Sequence, residues 1–186
     1  YTELPTDDGG KAMHKGIDYY LQALRYRSPE DGPLEYATLQ NNLGVAYSRL
    51  PGSVTDNQWK AITCFREALR YRTPETSPLD YAGTQNNLGS IYKDLTSGDR
   101  LDNLRQAMAC YHEALRFISP KTAPLDYAGI QYNLGNCCKD LAGGEKEDEL
   151  WRAIGYLREA LCYCSPNDAP LDYARIQSSL GDAYLM

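Results

Sequence analysis

The chain has 186 residues, of which 42% are hydrophobic and 24% charged, and a formal net charge of −6. No stretch approaches the roughly 18 consecutive apolar residues a spanning helix needs, and the acidic total argues against a nucleic-acid scaffold, which carries a basic face. Six cysteines, at positions 64, 110, 137, 138, 162 and 164, show no CxxC and no regular ligand spacing, so neither zinc nor a disulfide framework is indicated.

The opening YTELPTDDGG has no Met and no apolar signal core, so residues 1–10 read as a flexible leader in a piece of a longer protein. A helix is expected over 11–28, carrying Ala23-Leu24 and closing on Arg25-Tyr26-Arg27. The line PLxYAxxQ then opens at Pro33, and it returns at Pro78, Pro124 and Pro170 in steps of 45, 46 and 46 residues. A fixed period in this range means stacked supersecondary units. Each line opens one helix of a unit, giving expected helices at 34–50, 79–96, 125–142 and 171–186 (first-type helices). Between them lie expected second-type helices at 57–73, 101–119 and 147–165, with 11–28 as a further one.

The second unit shows why. Ser77 can cap, Pro78 suits the first helical position and Asp80 can close a capping box. Leu79, Ala82, Leu88, Ile91, Tyr92 and Leu95 then fall near a 3.6-residue period. Gly89 costs about 1 kcal/mol against Ala in mid-helix. Its recurrence as Gly44, Gly135 and Gly181 therefore calls for close helix packing. The turn around Gly98 ends the helix, as turns around Gly52 and Gly143 do elsewhere. On the following helix Leu104, Ala107, Met108, Tyr111, Ala114 and Leu115 share a face, and Ser119-Pro120 stops it. No segment alternates with period two, so no strands are expected. The fold class is all-α: a solenoid superhelix of about four antiparallel helix pairs, forming a single array over 11–186.

The repeated residues resemble the tetratricopeptide repeat. LGxxY stands at Leu43-Gly44…Tyr47, Leu88-Gly89…Tyr92 and Leu180-Gly181…Tyr184, with Cys138 replacing Tyr after Leu134-Gly135. AxxxFxxAL stands at Ala61…Phe65…Ala68-Leu69, and as variants at Ala107…Tyr111…Ala114-Leu115 and Ala153…Leu157…Ala160-Leu161. The period of 45–46 exceeds the family's usual 34 and is closer to its long-helix branch, the kinesin light chain and Pins/LGN-type adaptors. The resemblance implies a protein–protein interaction scaffold that holds a peptide or extended partner segment in a concave groove. A chaperone-type carboxylate clamp would need basic residues at Asn41 and Gly129, and neither is basic.

Asn42, Asn87 and Asn133 share one register, with Gln40, Gln85, Gln131 and Gln177 in another, and the resemblance gives these asparagines to the ligand backbone. The candidate groove residues are Thr38, Asn41, Asn42, Asn86, Asn87, Lys93, Asn133, Asn136 and Lys139. Two readings stand for the amides: a ladder along a bound peptide, or local hydrogen bonds to neighbouring loops and helix ends. Lys93 and Lys139 read either as selectors of an acidic ligand group or as cations near helix C-termini.

His14 and His112 lie in no catalytic motif, and no phosphate loop or dinucleotide fingerprint occurs, so no enzyme activity, metal or cofactor is expected. The cysteines read as small buried hydrophobes in a reducing compartment, which makes a cytoplasmic location the expectation. The expected partner is a protein or peptide, with no nucleic acid and no membrane. Apolar faces on the first and last helices also allow homo-oligomers, in which the array would be a self-associating spacer. A third reading makes it a sensor for a catalytic domain elsewhere in its parent protein.

Overall fold

The computed structural model describes residues 8–143 and 146–186, so the first seven residues of the expected leader lie outside the described residues. Among the described residues there are eight helices and no strand: α1 (Asp8–Tyr26), α2 (Pro33–Arg49), α3 (Val54–Ala68), α4 (Pro78–Asp94), α5 (Arg100–Leu115), α6 (Pro124–Ala142), α7 (Glu147–Cys162) and α8 (Pro170–Leu185). Each packs on its sequence neighbour within its unit, as in an α-solenoid. No described helix is long and apolar enough to cross a membrane. The helices fall into two compact units, one ending at Ser97 and one spanning Gly98–Met186.

The helix boundaries correct two expectations. α1 begins at Asp8 rather than at residue 11. The second-type helices stop short of the prolines that were expected to end them, at Ala68, Leu115 and Cys162. There the chain tightens into shorter turns, with Tyr71 N–H donating to Ala68 O at 3.1 Å, Phe117 N–H to Ala114 O at 3.1 Å and Tyr163 N–H to Ala160 O at 3.2 Å. Such tight turns satisfy carbonyls that a helix end leaves open. They also bring the next residues, Arg72, Ile118 and Cys164, back into buried positions.

The four PLxYAxxQ helices start with Pro in the first turn, as expected, but without side-chain caps. Gly32, Ala123 and Ala169 have no side chain that could cap, and Ser77 Oγ is buried without a hydrogen-bond partner. The expected capping box at Ser77 and Asp80 is therefore absent. Chain entry is set one loop earlier, by a hydroxyl that accepts from the amide three residues on. Ser28 Oγ accepts from Asp31 N–H at 3.3 Å, Thr73 Oγ1 from Thr76 at 3.3 Å, Ser119 Oγ from Thr122 at 3.3 Å and Ser165 Oγ from Asp168 at 3.2 Å. These local turns use the strongest backbone preference of Ser and Thr. Pro then supplies a helical φ, and Glu35, Asp80, Asp126 and Asp172 place negative charge at the positive end of the helix dipole.

Two of the repeated glycines show the close packing their recurrence calls for. A Cβ on Gly44 would lie 2.7 Å from Cε1 of Phe65 on α3, and one on Gly135 would lie 2.7 Å from Cγ of Leu157 and 3.2 Å from the Ala153 carbonyl on α7. Gly89 is buried. At Gly181 a Cβ would meet nothing within 4 Å, so the same register faces open space on α8.

This contrast is testable by chemical unfolding. Gly135→Ala is expected to lose about 1–3 kcal/mol by overpacking. Gly181→Ala is expected to gain up to about 1 kcal/mol from helix propensity. Equal loss at both sites would show that the register needs glycine for its backbone and not for contact.

Candidate peptide-binding face

In the first unit the first-type helices α2 and α4 lie side by side, and their candidate residues join into one polar network. Asn87 Nδ2 donates to Asn41 Oδ1 at 3.2 Å, linking the two helices. Thr84 Oγ1 lies 3.3 Å from the same oxygen and 2.8 Å from the Asp80 carbonyl, to which it donates. Asn41 Nδ2 reaches Asn42 Oδ1 at 3.4 Å. Asn41, Asn42, Asn86 and Asn87 are all half-buried, so their amides border the packed interior without being sealed in it.

The network is anchored by Arg72, which the sequence reading did not select. Its guanidinium donates to Thr38 Oγ1 at 2.9 Å and to Thr84 Oγ1 at 3.0 Å, bridging α2 and α4. Thr38 in turn donates to the Leu34 carbonyl at 2.8 Å. Arg72 is only 7% exposed, and its Nε is buried without a partner. Burial pulls its pKa below the ordinary arginine value, with Asp80 acting weakly in the opposite direction. A buried cation that donates to threonine hydroxyls is an expensive way to fill an interior, and the space it fills is therefore significant. Its sequence context, Arg70-Tyr71-Arg72 after the end of α3, is equally that of solvent-facing cations at a helix C-terminus. Arg70 does behave so, pairing with Glu67 at 2.9 Å.

Lys93, Asn136 and Lys139 each have a partner outside this network. Lys93 pairs with Asp94 at 3.1 Å. In the second unit Asn136 Nδ2 donates to the Tyr132 carbonyl of its own helix at 3.1 Å, and Lys139 pairs with Asp182 of α8 at 3.0 Å. Asn133 is half-buried on α6.

The in-register glutamines serve a different purpose from the asparagines. Gln40 Nε2 donates to Tyr36 Oη at 2.9 Å, Gln85 to Tyr81 at 3.1 Å and Gln177 to Tyr173 at 2.9 Å. Tyr36 and its repeat equivalent Tyr127 reach the following second-type helix, Tyr36 donating to Glu67 at 3.3 Å and Tyr127 to Glu159 at 3.1 Å. Their rings also meet a second tyrosine edge to face, Tyr36 with Tyr71 at 5.5 Å and Tyr127 with Tyr163 at 5.2 Å. Burial raises the pKa of Tyr36 and Tyr127, so both hydroxyls stay protonated donors. The Tyr and Gln of PLxYAxxQ thus form an internal clip four residues apart, available in every unit.

His14 Nδ1 lies 2.8 Å from the Gly10 carbonyl of its own helix, and His112 meets the Tyr156 ring at 6.3 Å. Burial pushes the Cys64 and Cys138 thiols up to about 11, away from the thiolate form that nucleophiles and metal ligands use. Among the described residues no group of three or more His, Cys, Asp or Glu could hold a metal ion. No protein family matches the chain, and no curated protein matches it either.

Arg72 allows a direct test of what it contributes. Arg72→Met keeps most of the stem volume and removes the desolvated charge, so stability is expected to stay within about 1 kcal/mol or rise. Arg72→Ala empties the space and is expected to cost about 1–3 kcal/mol. Urea midpoints at constant slope measure both, and an equal loss in the two variants would show that the charge itself is required.

Proposed function

We propose that the chain is a protein–protein interaction scaffold of the tetratricopeptide type, a superhelix of about four helix pairs whose first-type helices line a groove for an extended peptide. The observation that carries this reading is the Asn41–Asn87 pair on α2 and α4. It sets half-buried amides on adjacent first-type helices at hydrogen-bonding distance. Asn87 uses one amide hydrogen in that bond, and an Asn amide carries two hydrogens and an acceptor oxygen. Amides of this kind can pair with a peptide backbone whatever its side chains are. The internal bonds support the same reading, because they hold the amides in place before a ligand arrives, which lowers the ordering cost of binding. Thr38, Asn42, Lys93, Asn133, Asn136 and Lys139 complete the proposed lining.

Asn87→Ala and Asn133→Ala are expected to weaken capture of a partner by about tenfold each, with stability changed by no more than about 1 kcal/mol. Pull-down followed by titration of the captured partner measures this. Wild-type affinity in both variants would sink the groove.

A second reading is self-association, and it is favoured by α8. There Leu171 is 80% and Leu185 90% exposed, next to the open register at Gly181. Apolar exposure of this kind marks interaction surfaces. Light scattering over a concentration series is expected to show mass rising with concentration under this reading, and a strictly monomeric species at high concentration would remove it.

A further inference from the structure

The two units treat one repeat position in opposite ways. In the first, Thr38, Arg72 and Thr84 come together, and the Arg72 side chain fills the space between α2 and α4. By repeat register the same three positions in the second unit are Gly129, Cys164 and Ile176. A guanidinium has become a thiol and a threonine has become a glycine. The space is not filled by any other side chain. It stands as a cavity of about 150 Å³ between α6 and α8, lined by Leu125, Ala128, Gly129, Tyr132, Cys164 and Ile176.

The chemistry of the lining limits what can enter. Ala128, Cys164 and Ile176 are 2%, 2% and 3% exposed, so the floor is desolvated. Its one sulfur is already directed at the Ala169 carbonyl, 3.8 Å away. Asp172 and Arg175 also line the cavity, but they pair with each other at 2.9 Å, and Arg175 lies 5.3 Å over the Tyr132 ring. A water needs two to four polar partners, and an apolar cavity of about 150 Å³ holds a guest the size of benzene.

We infer that the cavity between α6 and α8 is a specificity pocket that takes one apolar side chain, of leucine to phenylalanine size, from an extended peptide lying along the first-type helices. This rests on the groove reading above and adds to it the class of residue the ligand must carry. Between α2 and α4 Arg72 occupies the corresponding space, so at this repeat position selection for an apolar residue belongs to the second unit. The self-neutralised Asp172–Arg175 pair adds no charge preference at that position.

Glycine 129 provides the control. A Cβ there meets nothing within 4 Å, so Gly129→Leu can place its side chain in the cavity without a clash, and leucine favours the helix. The probe is N-acetyl-leucinamide, with N-acetyl-aspartamide as the charged comparison, followed by the methyl resonances of Ile176. Ile62, buried at 1% in the first unit, is the reference. Saturable shifts at Ile176 alone are expected, with a dissociation constant of about 1–10 mM for so small a ligand, and they should be lost in Gly129→Leu. If Gly129→Leu does not fold, Cys164→Met fills the cavity from its floor and is expected to give the same loss. No saturation in the wild type, equal shifts in the filled variant, or equal binding of the aspartamide would each overturn the pocket. Because the probe needs no partner protein, the two proposals separate. Probe binding with partner capture unaffected by Asn87→Ala supports the pocket and overturns the groove. Loss of capture in Asn87→Ala without probe binding overturns the pocket alone.

Discussion

The close approach of α2 to α3 and of α6 to α7 is the contact on which the other features depend. At Gly44 and Gly135 the facing side chains sit so close to the glycine backbone that even one added methyl group would overlap Phe65 or Leu157. Fully buried alanines extend the seam, among them Ala37, Ala61 and Ala68 in the first unit and Ala153 and Ala160 in the second. Small residues at a helix interface trade side-chain burial for backbone proximity. The proximity then brings longer side chains at the edge of the seam within reach of one another. Tyr36 can donate to Glu67, and Tyr127 to Glu159, only because the helices carrying them are already close.

The polar interior of the first unit follows from a different constraint. A second-type helix that ends in tight turns has to put the next side chain somewhere, and Arg72 is carried inward between α2 and α4. Its desolvation is offset by hydrogen bonds from the guanidinium to Thr38 and Thr84, and those hydroxyls are themselves oriented by backbone carbonyls of their own helices. Thr84 passes the constraint to Asn41, and Asn41 to Asn87. The amides that face the proposed ligand are therefore oriented from inside the unit. Ligand-facing polar groups held in this way lose little further freedom on binding.

Much of the fold was legible because it was written four times. The period, the Pro-led helix starts, the punctuating glycines and the packing glycines all recur, and repetition distinguishes a structural requirement from an accident. Gly52, Gly98 and Gly143 do adopt positive φ, at 110°, 81° and 56°, where the turns were expected. What stayed hidden was hydrogen bonding whose residue types permit two geometries. Ser77 followed by Asp80 has the composition of a capping box, yet the actual device is the hydroxyl at Thr73, in a loop that looked like a mere spacer before proline. Asn41 and Asn87 stand out in the sequence as asparagines in mid-helix. Their mutual bond depends on side-by-side placement of α2 and α4, which no local pattern encodes. The burial of Arg72 is hidden for the same reason: whether a long cation at a helix end turns inward is a tertiary fact.

The position that holds Arg72 shows how an array can vary without changing its backbone. Along the repeats it is Arg72, then Ile118, then Cys164, and all three are buried. The turn that buries them is set by backbone bonds of nearly equal length, so the fold accepts any of the three. Their consequences for the surface above differ. A guanidinium fills the gap between first-type helices and orients polar side chains, whereas a thiol leaves the gap open and apolar. Side chains on the exposed face of a solenoid change what the surface displays. A buried position beneath it changes the relief of that surface and the orientation of its amides, and does so without disturbing the glycine seam that holds the helices together.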